Sequence, residues 1–200
     1  MSKLIIQGGK PICGIHVVPG NKNAALPMLA AALLATEPVT LENLPNIADV
    51  RVMVEGLRAL GARVTGDVAE HRLTVDARRL RADPVVPAEI CSPIRTSFLF
   101  AAPMLVRRGR IRLRAAPGGD SIGRRRLDTH VNGFRALGAK VTFRKTGAAT
   151  LTAPKGLHGT YFMLDEASVM ATENLVIAAV RAEGTTTLYN TCLLYTSDAA

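Results

Sequence analysis

Val54-Glu55-Gly56-Leu57-Arg58-Ala59-Leu60-Gly61-Ala62-Arg63-Val64-Thr65 returns 77 residues later as Val131-Asn132-Gly133-Phe134-Arg135-Ala136-Leu137-Gly138-Ala139-Lys140-Val141-Thr142. Each copy reads as the end of a helix, a glycine suited to the left-handed position that closes it, and then a strand. A second pattern occurs three times. Ala31-Ala32-Leu33-Leu34 leads through Glu37 to Val39-Thr40-Leu41, and Pro103-Met104-Leu105-Val106 through Gly109 to Ile111-Arg112-Leu113. Ala178-Ala179-Val180-Arg181 leads through Gly184 to Thr186-Thr187-Leu188. Together they define a unit of two helices and several strands, recurring at a spacing too long for a solenoid. Two units are complete and a third has begun. The next Leu-Gly-Ala would fall beyond Ala200, so the chain reads as cut off in mid-repeat.

The patterning predicts helices near Ala24–Ala35, Ala48–Leu60, Ser92–Val106, Leu127–Leu137 and Ser168–Arg181. Strands are predicted near Leu4–Gln7, Ile15–Val18, Val39–Asn43, Leu73–Asp76 and Ile111–Ala115, and then near Lys140–Phe143, Leu151–Ala153, Tyr161–Leu164 and Thr186–Tyr189. Interleaved helices and strands place the chain in the α/β class. Arg78 to Pro87 reads as a charged, proline-containing connection, and no linker long enough to separate two domains occurs.

With 48% hydrophobic and 20% charged residues the composition is that of an ordinary globular protein. Twenty-five Lys plus Arg against sixteen Asp plus Glu give a net charge of +9, which favours anionic partners. No Trp, three Tyr and five Phe leave little for base stacking, so nucleic-acid binding is not expected. Three cysteines, Cys13, Cys91 and Cys192, lack any framework spacing and suit reduced thiols in the cytoplasm. Cys13-x-x-His16 has no second ligand pair, so no metal is expected. The longest apolar run, Ala24 to Ala35, is interrupted by Pro27 and falls short of a bilayer crossing. The N-terminus has no signal-peptide core.

Candidate chemistry concentrates in Pro117 to His130, Pro-Gly-Gly-Asp-Ser-Ile-Gly-Arg-Arg-Arg-Leu-Asp-Thr-His. A glycine turn presents one acid, Asp120, ahead of three consecutive arginines whose forks suit phosphate. The longest apolar helix of each unit also opens with a polar cluster: Pro19-Gly20-Asn21-Lys22-Asn23, then Ser92-Pro93-Ile94-Arg95, then Asp165-Glu166-Ala167-Ser168-Val169. Ser92 reads as an N-cap with Pro93 at the first helical position. Helix N-termini attract anions, and Lys22 and Arg95 add fixed positive charge there. Related by the repeat, these ends could converge on one cleft; read singly, each is an ordinary cap.

Pro19 to Ala35, the Pro-Gly-Gly-Asp-Ser-Ile-Gly segment with its Arg126-Leu127-Asp128-Thr129-His130 continuation, and Leu164-Asp165-Glu166-Ala167-Ser168-Val169 closely resemble signatures of the UDP-N-acetylglucosamine enolpyruvyl transferases. The resemblance runs in order from about Leu4 to about Asn190. It implies an inside-out α/β barrel domain of three βαβαββ units, truncated here in the third. It also implies a transferase that moves enolpyruvyl from phosphoenolpyruvate to the 3′-hydroxyl of UDP-N-acetylglucosamine, without a cofactor, early in peptidoglycan precursor synthesis. Residues 1–18 would then be strands of a second domain, 19–191 the incomplete first domain, and 192–200 an atypical tail, with no membrane association.

Carried over by position, Lys22 and Asn23 match the family's phosphoenolpyruvate and sugar-nucleotide site, with Lys22 catalytic, and Arg95 matches an anion-holding arginine. Arg125 matches the phosphate-contacting arginine of a mobile loop. Arg125, Arg126, Leu127, Asp128 and Thr129, with Glu166, Ala167, Ser168 and Val169, match the UDP-sugar segments. Asp120 stands where the family has its proton donor, a cysteine in many members. A carboxyl can fill that role if its environment raises its pKa, which nearby arginines oppose. The rival readings are the sister transferase acting on shikimate 3-phosphate and a basic nucleic-acid module. The 200 residues alone are expected to be inactive without the remaining domain.

Overall fold

The two copies of the repeat end their helices in the same way in the computed structural model, which describes residues 3–11, 13–119 and 126–192. Helix α2 (Ala48–Ala59) and helix α5 (Asp128–Ala136) each close on a glycine with positive φ, 99° at Gly61 and 94° at Gly138. Gly61 N–H donates to the Arg58 carbonyl and Ala62 N–H to that of Leu57, both at 3.0 Å. Gly138 and Ala139 repeat the pattern on Arg135 and Phe134 at 2.9 Å. This is the Schellman closure that satisfies the last helical carbonyls. The upstream glycine of the repeat serves packing. A Cβ on Gly56 would lie 2.4 Å from the Phe100 ring, and one on Gly133 would lie 2.4 Å from Leu175.

The elements assemble unit by unit. The first unit holds α1 (Lys22–Ala31), β1 (Val39–Leu41), α2, β2 (Arg63–Asp67) and β3 (Arg72–Asp76). The second holds β4 (Val85–Val86), α3 (Ala88–Cys91), a 3-10 helix (Arg95–Phe100), α4 (Ala101–Arg108), β5 (Arg110–Leu113), α5, β6 (Lys140–Phe143) and β7 (Ala149–Thr152). The third begins with β8 (Tyr161–Met163), α6 (Val169–Ala179) and β9 (Thr187–Tyr189).

Strand orders are β1-β3-β2, β4-β5-β7-β6 and β8-β9. Ile111 faces Leu151 and Val141 faces Leu151 across antiparallel ladders, as Val39 and Val64 both face Val75 in the first sheet. The β4–β5 and β8–β9 pairs are parallel. One apolar helix from each unit, α1, α4 and α6, packs in the interior, and the sheets lie outside it. That is the inside-out α/β barrel, with its third unit begun.

Four expectations are corrected. Residues 4–7 and 15–18 are not strands; Ile15 is 99% exposed and Leu4 84%. A strand is defined by a ladder, and among the described residues neither segment has a neighbour to pair with. Ser92 is not an N-cap: it is the C-cap of α3, and the chain straightens at Ile94 before a 3-10 turn leads into α4. Pro93 has no N–H to donate back along α3 and so cannot continue it, and Ile94 is extended at φ −134° and ψ 138°, which separates the two helices. The Arg78–Pro87 connection contains β4, whose two residues were too few to give a periodic signal.

Candidate functional site

Helix α1 starts where the chain turns at Gly20, whose missing side chain admits the Asn43 carbonyl; a Cβ there would meet that oxygen at 1.6 Å. Asn21 caps the helix, its side chain accepting from Asn23 N–H at 2.7 Å and Ala24 N–H at 3.2 Å. Lys22 and Asn23 therefore occupy the first turn. Lys22 Nζ lies 2.7 Å from Asp49 Oδ1 in the first turn of α2.

Arg95 opens the 3-10 helix of the second unit, and its guanidinium donates to the Arg126 carbonyl. The glycine turn is laid against this segment. Gly118 N–H donates to the Cys91 carbonyl at 2.9 Å and Gly119 N–H to that of Ser92 at 3.2 Å. A Cβ on Gly118 would lie 1.6 Å from Ser92 O, so only glycine permits this approach. Asp120 and Arg125 lie outside the described residues, but Gly119, next to Asp120 in the chain, borders the same cleft as Arg95.

The third contribution is the start of α6. Ser168 is its N-cap, accepting from Ala171 N–H at 3.3 Å. The Thr129 hydroxyl donates to Asp165 in the preceding loop, and Arg126 pairs with Asp128 at 2.6 Å.

These three helix starts surround an open cleft of about 760 Å³. Lys22, Asn23 and Arg95 line it, together with Glu166, Ala167, Ser168 and Val169. Arg126, Leu127, Asp128 and Thr129 do not: Thr129 is buried and Leu127 packs on the core, while Arg126 and Asp128 pair beside the cleft.

Two acids that sequence reasoning did not single out also line it, Asp49 and Glu173. Asp49 reads in sequence as a helix-dipole acid. Glu173 is the one charged residue in the apolar α6, a signal that was available. Burial pushes the Glu173 carboxyl up to about 7. Behind the cleft His130 is buried and held neutral at about 3, first by desolvation and then by the nearby Arg95 charge. Asn174 Nδ2 donates to the Phe98 carbonyl at 3.1 Å and lies 3.3 Å from His130 Nδ1. Among the described residues no cluster of His, Cys, Asp and Glu is placed to hold a metal, and no helix is long and apolar enough to cross a membrane.

The barrel that carries this cleft has the fold of the enolpyruvyl transferases. The solved enolpyruvyl transferase NikO from Streptomyces tendae superposes with a TM-score of 0.70 at 28% identity, over 85% of this chain and 39% of that one. The family model of EPSP synthase (3-phosphoshikimate 1-carboxyvinyltransferase) matches residues 6–199, and the chain belongs to that family. Within it, a UDP-N-acetylglucosamine 1-carboxyvinyltransferase of Bradyrhizobium diazoefficiens is 49% identical over 93% of this chain, and one of Treponema pallidum 48% over 95%. The chain spans 42% and 43% of the length of those relatives.

Proposed function

We propose that the full-length protein transfers enolpyruvyl from phosphoenolpyruvate to the 3′-hydroxyl of UDP-N-acetylglucosamine with release of phosphate. The convergence of Lys22, Asn23 and Arg95 with the α6 N-terminus on one cleft carries this reading, because each brings positive charge or N–H donors to a site for anions. The identity to the two UDP-sugar relatives supports the sugar nucleotide over shikimate 3-phosphate as acceptor.

In the first step a proton is delivered to the methylene carbon of phosphoenolpyruvate, and the sugar hydroxyl oxygen bonds to the neighbouring carbon and gives up its own proton. In the second that carbon loses its bond to phosphate, and the new methyl group loses a proton to restore the double bond. Asp120 is the proton donor, worth about 10²–10⁴-fold for a positioned acid. Gly119, which precedes it in the chain, borders the cleft and is held by its N–H on the Ser92 carbonyl. Lys22, Arg95 and Arg125 stabilise the charge on the departing phosphate, and Glu166 to Val169 hold the UDP-sugar, with Arg126 to Thr129 supporting that segment from outside the cleft through the Thr129 hydroxyl on Asp165. Residues 1–18 belong to a second domain, 19–191 to the first, and 192–200 to neither; the enzyme works in the cytoplasm.

The test is phosphate release by the full-length protein given both substrates, with Asp120→Ala as the discriminating variant. Turnover is expected to vanish while UDP-N-acetylglucosamine binding changes little. Equal loss of both removes Asp120 from the donor role, and full activity with shikimate 3-phosphate instead of the sugar nucleotide overturns the acceptor assignment.

A further inference from the structure

Glu173 lies four residues beyond Val169, one turn further along the same face of α6, so both line the cleft. The apolar residues Leu26 and Pro27 from α1, Leu99 from the 3-10 helix, and Met170 line the same cleft. The Glu173 carboxyl makes no hydrogen bond or ion pair among the described residues. A purely structural half-buried carboxylate needs a partner, because desolvation without one is costly. The charged groups around it are committed elsewhere or of its own sign. Lys22 from α1 is held by Asp49 from α2, and Arg95 from the 3-10 helix reaches the Arg126 carbonyl. Glu166 precedes α6 and is an acid, and His130 from α5 is buried and neutral. From α4, Arg107 and Arg108 turn away to the carbonyls of Leu33, Leu34, Ala35, Ala77 and Leu80.

We propose that Glu173 is a further ligand-binding group of this cleft, meeting an anionic ligand as the neutral acid and opposing it as the carboxylate. The proposal rests on the reading that the cleft holds UDP-N-acetylglucosamine. A neutral carboxyl supplies an O–H donor to an anionic or carbonyl oxygen, whereas a carboxylate has only lone pairs to offer it. Ligand entry therefore favours the protonated form, and binding takes up a proton whenever the empty site is ionised. Burial sets the crossover at about 7, within the physiological range.

UDP-N-acetylglucosamine is a suitable probe, because its diphosphate keeps both charges from pH 6 to pH 8. If only the protonated site binds, the Kd of the full-length protein weakens about tenfold from pH 6 to pH 8. Calorimetry in buffers of different ionisation heat is then expected to show uptake of about one proton at pH 8. Glu173→Gln, a permanent neutral donor, is expected to bind with a Kd near the wild-type pH 6 value and independent of pH, and without proton uptake. The wild-type proton count needs no variant. Tight binding with a flat Kd and no proton uptake overturns the role of Glu173 alone. Failure of the sugar nucleotide to bind at any pH overturns the proposed function as well.

Discussion

Lys22 Nζ and Asp49 Oδ1 are 2.7 Å apart, joining the first turn of α1 to the first turn of α2 at the edge of the cleft. A lysine in the first turn opposes the helix dipole, whereas an aspartate there complements it. Local rules broken in this way mark functional positions, and Asp49 offsets the break while holding the ammonium toward the cleft.

Both partners of that pair are partly open to solvent, at 49% and 28% side-chain exposure, so its net stabilisation is small. Asp49→Asn is expected to change unfolding free energy by less than about 1 kcal/mol. An entering anion would no longer compete with Asp49 for the lysine. Inorganic phosphate should therefore bind the variant a few-fold more tightly at low salt, a gain that titration calorimetry reads and that added salt erases. Weaker phosphate binding would show that Asp49 is needed to place Lys22 more than it competes for it.

Asp120 also predicts a drug response. Fosfomycin alkylates the cysteine thiol at this position in the family the chain resembles, and a carboxyl offers no thiol. The full-length protein is expected to keep its activity through prolonged incubation with fosfomycin, and Asp120→Cys to become inactivated with time. Time-dependent loss of wild-type activity contradicts this.

The repeat glycines predict a graded stability series. Both contacts are fully buried, but an Ala at Gly133 meets the branched end of Leu175, which has other rotamers, whereas an Ala at Gly56 meets the flat, rigid Phe100 ring. Overpacking typically costs about 1–3 kcal/mol. Gly56→Ala is expected near the upper end and Gly133→Ala near the lower, by urea denaturation at pH 7.

Stability against pH has two opposed contributors. His130 falls from 6.5 to about 3 on folding, so the unfolded chain binds its proton first and stability declines as pH drops from 6.5 toward 3. Glu173 rises from 4.5 to about 7, so the folded chain binds its proton first and stability increases as pH drops from 7 toward 4.5. Between pH 6.5 and 4.5 these slopes oppose one another. Glu173→Gln is expected to make stability fall from pH 6.5 downward, where the wild type changes less. Parallel profiles for the two proteins would remove Glu173 from this balance.

The helices and most strands were legible because the repeat carries their boundaries. Gly61 and Gly138 end helices where the Leu-Gly-Ala pattern puts them, and Ser168 caps α6. The second unit resisted a local reading, because Pro93 and the extended Ile94 separate α3 from the 3-10 helix that leads into α4, and β4 is only two residues long. The segments at 4–7 and 15–18 are rich in β-branched residues, as strands are, but strand identity belongs to a pair.

The linear chain alone determined the repeating unit, its helix stops and the polar residues at each helix start, because these follow from periodicity and local backbone preference. The tertiary structure decided what those residues face. It set Lys22 against Asp49, laid Gly118 and Gly119 along Cys91 and Ser92, and turned Glu173 into the cleft. Those relationships join residues tens of positions apart, and only packing fixes distances and desolvation between them.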